Sequence, residues 1–392
     1  MAGVSDTLTE GAAAAAGGMS RRRKIILGSL GAAIAVTGLL LLLFLRNPQS
    51  IPDLIPLPAR VWVPPHYRYS INGVQEPAGV AMSPDGKRVY VTETGGDRRI
   101  IAFDRTGKKL RSWTIPNTQV GSRAPVYIAV SADGRVFVAD RIQQAVYVFT
   151  ANGKYIDEII GPRRTMTGYL AEKLGTPLPK GLTYSYDLVT KHVLYQIPGK
   201  GVNYLPAPAV AWSPLGVRFD KAGNLFVTDV GQQCVHVIPA AKINSPSWVK
   251  FNNKDIRFGA PGAGKGELDY PNVAQADSSG RVFVTDGNNG RISAWDLSGK
   301  YVGVFGLSGD GEVGLPRGEW VDAKDRLYVV DAVNGDLKVY DVSGGTPSYM
   351  GSIGEFGIQK GQFNFPNDVV IDRTGTLFIA ERVNNRVQVW SN

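Results

Sequence analysis

The stretch Arg281-Val-Phe-Val-Thr-Asp286 decides the fold, because the chain repeats it. Arg88-Val-Tyr-Val-Thr-Glu93, Arg135-Val-Phe-Val-Ala-Asp140, Asn224-Leu-Phe-Val-Thr-Asp229, Arg326-Leu-Tyr-Val-Val-Asp331 and Thr376-Leu-Phe-Ile-Ala-Glu381 carry the same apolar and aromatic pattern, each closed by a carboxylate. β-Branched and aromatic residues suit a pleated strand, and their return at intervals marks an internal repeat. Turns such as Asp85-Gly86, Asp133-Gly134 and Ser279-Gly280 come before the repeated line, where glycine supplies a positive φ. Another apolar strand follows each copy, from Ile100–Phe103 in the first to Val387–Trp390 in the last. An earlier strand is opened by Pro77, Pro125, Pro214, Pro271, Pro316 and Pro366 in turn. Three or four short strands per unit, six times over, predict an all-β chain folded as a six-bladed β-propeller.

Working outward, Pro77-Ala-Gly-Val80 followed by Asp85-Gly86 and Val89-Tyr-Val91 resembles the NHL repeat family, and the resemblance covers residues 76–392. It implies a propeller of NHL-type repeats; it implies nothing specific about function. The last unit stops at Trp390-Ser391-Asn392, short of an outer strand. Tyr67-Arg-Tyr-Ser-Ile71, ahead of the first unit, is expected to supply that strand and close the ring.

The N-terminal region has a different character. Residues 1–24 read as a disordered tail, rich in alanine and glycine and ending in Arg21, Arg22, Arg23 and Lys24. Ile25–Leu45 is an uncharged run of 21 residues. At about 1.5 Å per residue a helix of that length spans a bilayer core of about 30 Å. The basic cluster ahead of it predicts a single transmembrane helix with its N-terminus in the cytoplasm and all later residues outside. Leu45-Arg46-Asn47-Pro48 offers no small-residue cleavage site, so the segment reads as a retained anchor in the cell membrane. Prolines at 48, 52, 56, 58, 64 and 65 make residues 46–65 an extended linker, leaving 66–392 for the propeller.

Composition narrows the functional classes. The single cysteine, Cys234, excludes an internal disulfide and any cysteine-rich zinc site. The net charge is +9, and beyond Arg46 there remain 38 basic and 32 acidic side chains. A positive surplus favours anionic partners, and an exported domain has little access to nucleic acid. Gly259-Ala-Pro-Gly-Ala-Gly-Lys265 has the look of a phosphate loop, but Gly266 stands where Ser or Thr would bind magnesium. Gly266–Pro271 also aligns with Gly311–Pro316 and Gly361–Pro366, which makes it a connection between blades. Glu93, Asp140, Asp229, Asp286, Asp331 and Glu381 recur in every unit and are expected to cap turns.

One irregularity stands out. Phe137 and Phe226 are 89 residues apart, about 40 more than other neighbouring copies, and the excess lies near residues 161–212. It carries six basic side chains against two acidic, five tyrosines, and a hairpin signal over Leu182–Val189 and His192–Ile197. Long insertions in regular arrays often carry function. Candidate binding residues are therefore Arg163, Arg164, Tyr184, Tyr186, Lys191, His192 and Tyr195, with Arg123 and Arg317 on a ring face. Propellers similar to this one include zinc lyases with several channel histidines, a pattern that His66, His192 and His236 do not match. Others are six-bladed lactonases that hold calcium near the axis. That resemblance points to Glu76, Asn272, Asn367 and Asp368 as oxygen ligands, although Arg123 and Arg317 oppose a cation.

The expected function is thus an exported, membrane-anchored binding or scaffold module, more a binder than an enzyme. It would present a propeller face to an envelope or membrane protein or to an anionic wall polymer. No catalytic residue or cofactor is predicted. The alternatives are a calcium-dependent lactonase-like hydrolase or lyase at the central channel, and an extracytoplasmic ligand sensor.

Overall fold

Each repeat folds into an antiparallel sheet whose first pairing is written in its own sequence. The computed structural model describes residues 62–161, 164–187, 190, 192–206, 212–243 and 256–392. Ile25–Leu45 and most of the proline-rich linker lie outside the described residues. Among the described residues, no helix is long and apolar enough to cross a membrane. The innermost strands are Pro77–Met82, Pro125–Val130, Pro214–Phe219, Pro271–Ala276, Pro316–Val321 and Pro366–Ile371. In all six, the opening proline pairs with the carboxylate that closes the next strand, as Pro77 does with Glu93 and Pro366 with Glu381. A register shift follows every one of these prolines, since a residue without an N–H cannot donate to the ladder.

The sheets follow one another around a ring. Six sheets of four or five strands form, and their innermost strands neighbour each other in sequence order, the sixth returning to the first. The apolar core lies between sheets rather than inside any one of them. One cluster joins Tyr127 and Phe137 of the second sheet to Val217 and Leu225 of the third, and another joins Val80 and Phe103 of the first to Val370 and Phe378 of the sixth. The ring closes as expected. His66–Ile71 pairs with Arg386–Ser391 as the outermost strand of the sixth sheet.

The recurring carboxylates are turn caps. Asp140 accepts the backbone N–H groups of Ala124, Ile142 and Gln143, and Asp229 those of Ser213, Gly231 and Gln232. All six carboxylates are buried. The loop with the look of a phosphate site is also architectural. Asp286 holds Arg291, whose guanidinium donates to the carbonyls of Ala263, Gly264 and Glu267. Glu381 and Arg386 repeat the arrangement on Gln359 and Gln362.

The insertion is more elaborate than a hairpin. The second sheet gains a fifth strand at Arg164–Thr165, which leads into helix α1, Met166–Leu174, capped by the Thr165 hydroxyl on the Gly168 N–H at 3.0 Å. A separate sheet then pairs Thr183–Asp187, His192–Gln196 and Val202–Pro206 in that order. The first two strands fall where the sequence placed them; the helix and the third strand were not anticipated. Ile160, Met166, Tyr169, Leu170 and Val193 give the insertion a small core of its own, seated on the second sheet.

Candidate functional site

One end of the ring axis gathers arginine. Every innermost strand begins there, and so does the residue just after each closing carboxylate, which brings in Arg141 after Asp140 and Arg382 after Glu381. With Arg98 and Arg317 they line a cavity of about 360 Å³ that also takes in Tyr127, Tyr270, Asn272 and Asn367. Among the described residues, no carboxylate lines it. The guanidinium of Arg317 lies 5.9 Å from the Tyr270 ring and 5.6 Å from Phe365, and donates to Asn272 Oδ1 at 3.1 Å. The guanidinium of Arg141 also lies 5.9 Å from the Tyr270 ring. Neither arginine has an ion-pair partner among the described residues. Arg98 is turned toward the carbonyls of Val120 and Arg123, and Arg382 bonds Glu76 at 3.0 Å.

Deeper along the axis the charges are enclosed. Arg218 and Asp368 form an ion pair in which both side chains are buried, and Asp368 also accepts the Val80 and Val369 N–H groups. Glu319 is fully buried nearby, with neither carboxyl oxygen in a hydrogen bond of ordinary geometry to another protein group. Burial holds the Glu319 carboxyl well above its usual range, against the opposing pull of Arg218. One guanidinium neutralises one carboxylate, and Asp368 holds the hydrogen bonds, so Glu319 is the member that keeps its proton.

Glu319 therefore makes stability depend on pH. The unfolded carboxyl ionises near pH 4.3 while the folded one ionises only at higher pH, so its contribution is complete below about pH 4 and is lost as pH rises. Glu319→Gln is expected to match the parent near pH 4 and exceed it by roughly 1–3 kcal/mol at pH 8, the range for a buried polar group without a full set of partners. Urea melts at the two pH values read this difference, and parallel curves would refute it.

The comparisons with known proteins agree with this architecture. A sequence model described as SMP-30/Gluconolactonase/LRE-like region matches residues 62–171, and an NHL repeat model matches residues 363–390. The chain is a β-propeller that carries an SMP-30/gluconolactonase-like stretch in its first blades and an NHL repeat in its last. A solved streptogramin B lyase is similar to the propeller over 85% of this chain and 99% of its own, at 11% identity and a TM-score of 0.51. The selenomethionine-substituted virginiamycin B lyase from Staphylococcus aureus matches at 13% identity, covering 83% of this chain and 98% of its own, with a TM-score of 0.51. A catalytically inactive form of that lyase with quinupristin matches at 14% identity and the same TM-score of 0.51 over 83% and 98%. At such identities the likeness is one of fold.

The propeller separates the residues that the sequence grouped. Arg317 reaches the axial cavity. Arg123 does not: it is buried, and its guanidinium donates to the carbonyls of Asp97, Arg98 and Thr118 at 2.7–3.2 Å. It pins a loop instead of facing a ligand. Tyr184 lies in a different cavity, beside the second blade. His192 is exposed, with Nδ1 2.6 Å from the Thr190 carbonyl, and Tyr195 is half-buried on the same strand. Arg163 and Lys191 lie outside the described residues, as do the side chains of Arg164 and Tyr186. The arginines missed in the sequence had a visible signal: Arg141 and Arg382 occupy the same repeat position, one past the closing carboxylate.

The set proposed for calcium does not fit a cation. Glu76 bonds Arg382, Asp368 bonds Arg218, and Asn272 Oδ1 accepts from Arg317. Asn367 turns its amide N–H to the Ala78 carbonyl at 2.5 Å. Three of the four would-be ligands already serve guanidinium groups, and a metal ion would have to displace these. A second group, Asp229, Cys234 and His236, brings its ligand atoms within 4.8 Å of one another. Internal repetition explains it: Cys234 and His236 stand where the sixth blade has Arg386 and Gln388, which bond Glu381 as His236 bonds Asp229. Arg257 also donates to the Cys234 sulfur at 3.2 Å, and burial pushes the thiol up to about 11. The group is one blade's version of the cap. The third histidine, His66, sits on the closing strand, so none of the three lines the axial cavity.

Proposed function

We propose that this chain is a binding module: a six-bladed ring held outside the cytoplasm by the Ile25–Leu45 helix, whose axial mouth receives the anionic groups of an envelope protein or wall polymer. The observation that carries this reading is the mouth lined by Arg98, Arg141, Arg317 and Arg382 with no carboxylate among its lining residues. Arg141 and Arg317 are held beside aromatic rings, which orients guanidinium planes without neutralising them. A fork of N–H donors at a recess suits carboxylate or phosphate oxygens. The calcium-dependent alternative loses support because its ligand oxygens are taken by arginine.

The test uses the whole protein in detergent and two polymer probes, poly-glutamate and polyphosphate, with neutral dextran as the control. Both anionic probes are expected to bind and to weaken steeply with salt. The double variant Arg141→Ala/Arg317→Ala is expected to lower their affinity by about 10-fold or more, since charged hydrogen bonds contribute roughly 1.5–3 kcal/mol each. Unchanged affinity, or equal binding of dextran, would remove the mouth from the account.

A further inference from the structure

We propose that the cavity between the second blade and the inserted sheet is a binding site for a small organic ammonium ion. The cavity has a volume of about 320 Å³. Its walls include Tyr147 and Tyr155 from the second blade, Tyr184 from the inserted sheet, and the side chain of Glu158. The rings of Tyr147 and Tyr155 have centroids 6.4 Å apart, and the hydroxyls of Tyr155 and Tyr184 meet at 3.2 Å. Three aromatic walls thus stand around one acid.

That acid is built in rather than incidental. Glu158 is 6% exposed, and the nearby Tyr147 and Tyr155 favour the charged form of its carboxyl. Asp157 adds a second carboxyl next to it, holding the N–H groups of Glu158 and Thr167. No basic side chain is among the lining residues. A carboxylate in a partly desolvated recess attracts a cation strongly, and aromatic faces add to this most for a bulky, weakly hydrated one. A metal ion would ask for more anionic oxygens than Glu158 offers, since Asp157 is not among the lining residues and its Oδ1 is taken by two backbone N–H groups. An ammonium group carrying a few carbons fits the volume, the walls and the charge together.

This cavity is distinct from the arginine mouth, is opposite to it in sign, and does not rest on the anion-binding reading. It has its own pH signature. Burial, with Asp157 adding repulsion, pushes the Glu158 carboxyl up to about 8. The other described groups facing it are Tyr147, Tyr155 and Tyr184, and burial pushes Tyr155 and Tyr184 upward, so they stay neutral through this range. A cation selects the ionised carboxylate, so binding releases a proton and tightens as pH rises. Affinity at pH 9 is expected to exceed that at pH 7 by about 10-fold, one unit of proton cost.

Calorimetric titration of the whole protein in detergent tests the site, using choline and its neutral isostere 3,3-dimethylbutan-1-ol. Choline is expected to bind saturably and the isostere at least about 10-fold more weakly. Glu158→Gln, which keeps the size of the side chain, is expected to weaken choline by about 10-fold or more. Equal binding of the two probes, no binding of choline, or full affinity in Glu158→Gln overturns the proposal. If that variant fails to fold, the parent's pH series decides, and a flat profile from pH 6 to 9 overturns it as well. Arg141→Ala/Arg317→Ala is expected to leave choline binding unchanged, so failure at one site is distinguishable from failure at the other.

Discussion

Removing residues 1–71 is expected to destroy cooperative folding of the ring, while removing residues 1–62 leaves it folded. The segment between these cuts contains the strand His66–Ile71, which pairs with the C-terminal strand at five residue positions, from His66 with Ser391 to Ile71 with Val387. Ile71 is fully buried in the cluster that joins the sixth sheet to the first. Tyr67 meets Trp390 edge-on at 6.2 Å, and Arg68 bonds Ser391 at 2.8 Å. Burial of an isoleucine stabilises by roughly 1.5–3 kcal/mol. Each ladder hydrogen bond adds roughly 0.5–1.5 kcal/mol. Their sum is comparable to the whole net stability of a domain, about 5–15 kcal/mol. Deletion also exposes the edge of Arg386–Ser391, an invitation to aggregate. Thermal unfolding followed by circular dichroism, with size-exclusion chromatography, reads both effects. A truncation at residue 71 that melts like the parent would falsify the strand's closing role.

The second large effect is expected on the ring axis. Asp368→Asn keeps the shape of the side chain but leaves Arg218 charged, buried and without a carboxylate partner of its own. Removing one member of a buried pair costs about 3–5 kcal/mol, because the surviving charge has lost both water and counter-ion. Glu319 is the relief at hand among the described residues: next to an unpaired Arg218 it is expected to give up its proton and recover part of the loss. The triple change Asp368→Asn/Glu319→Gln/Arg218→Met is therefore expected to be more stable than Asp368→Asn alone. Urea melts at pH 7 measure each step. If Asp368→Asn lost less than about 1 kcal/mol, the pair would not be enclosed as the geometry has it.

Much of the fold was legible in the chain because a repeat is a periodic signal. Alternation in Arg281–Asp286 and its five counterparts named the second strand of each sheet, and the prolines named the first. Ring closure was legible too, since a last unit that lacks a strand and a spare strand at the other end suggest one pairing. The helix Met166–Leu174 and the strand Val202–Pro206 were missed because the insertion occurs once, so no second copy exists against which to align it. The site was less legible for a related reason. Arg123 and Arg317 look alike in sequence, yet one spends its donors on the carbonyls of Asp97, Arg98 and Thr118 while the other points into a cavity. Glu76 and Asp368 look like metal ligands until their arginine partners come into contact across the ring, 306 and 150 residues away.

Strand identity, repeat number and the capping role of the recurring carboxylates thus followed from local pattern, because propensity, proline geometry and turn chemistry act over a few residues. The tertiary structure alone decided which charges meet. It brought Arg98, Arg141, Arg317 and Arg382 from separate blades to one mouth, enclosed Arg218 with Asp368, and set Glu158 among three tyrosines. Electrostatic character depends on distance and exposure in space, and a ring joins residues that the chain keeps far apart.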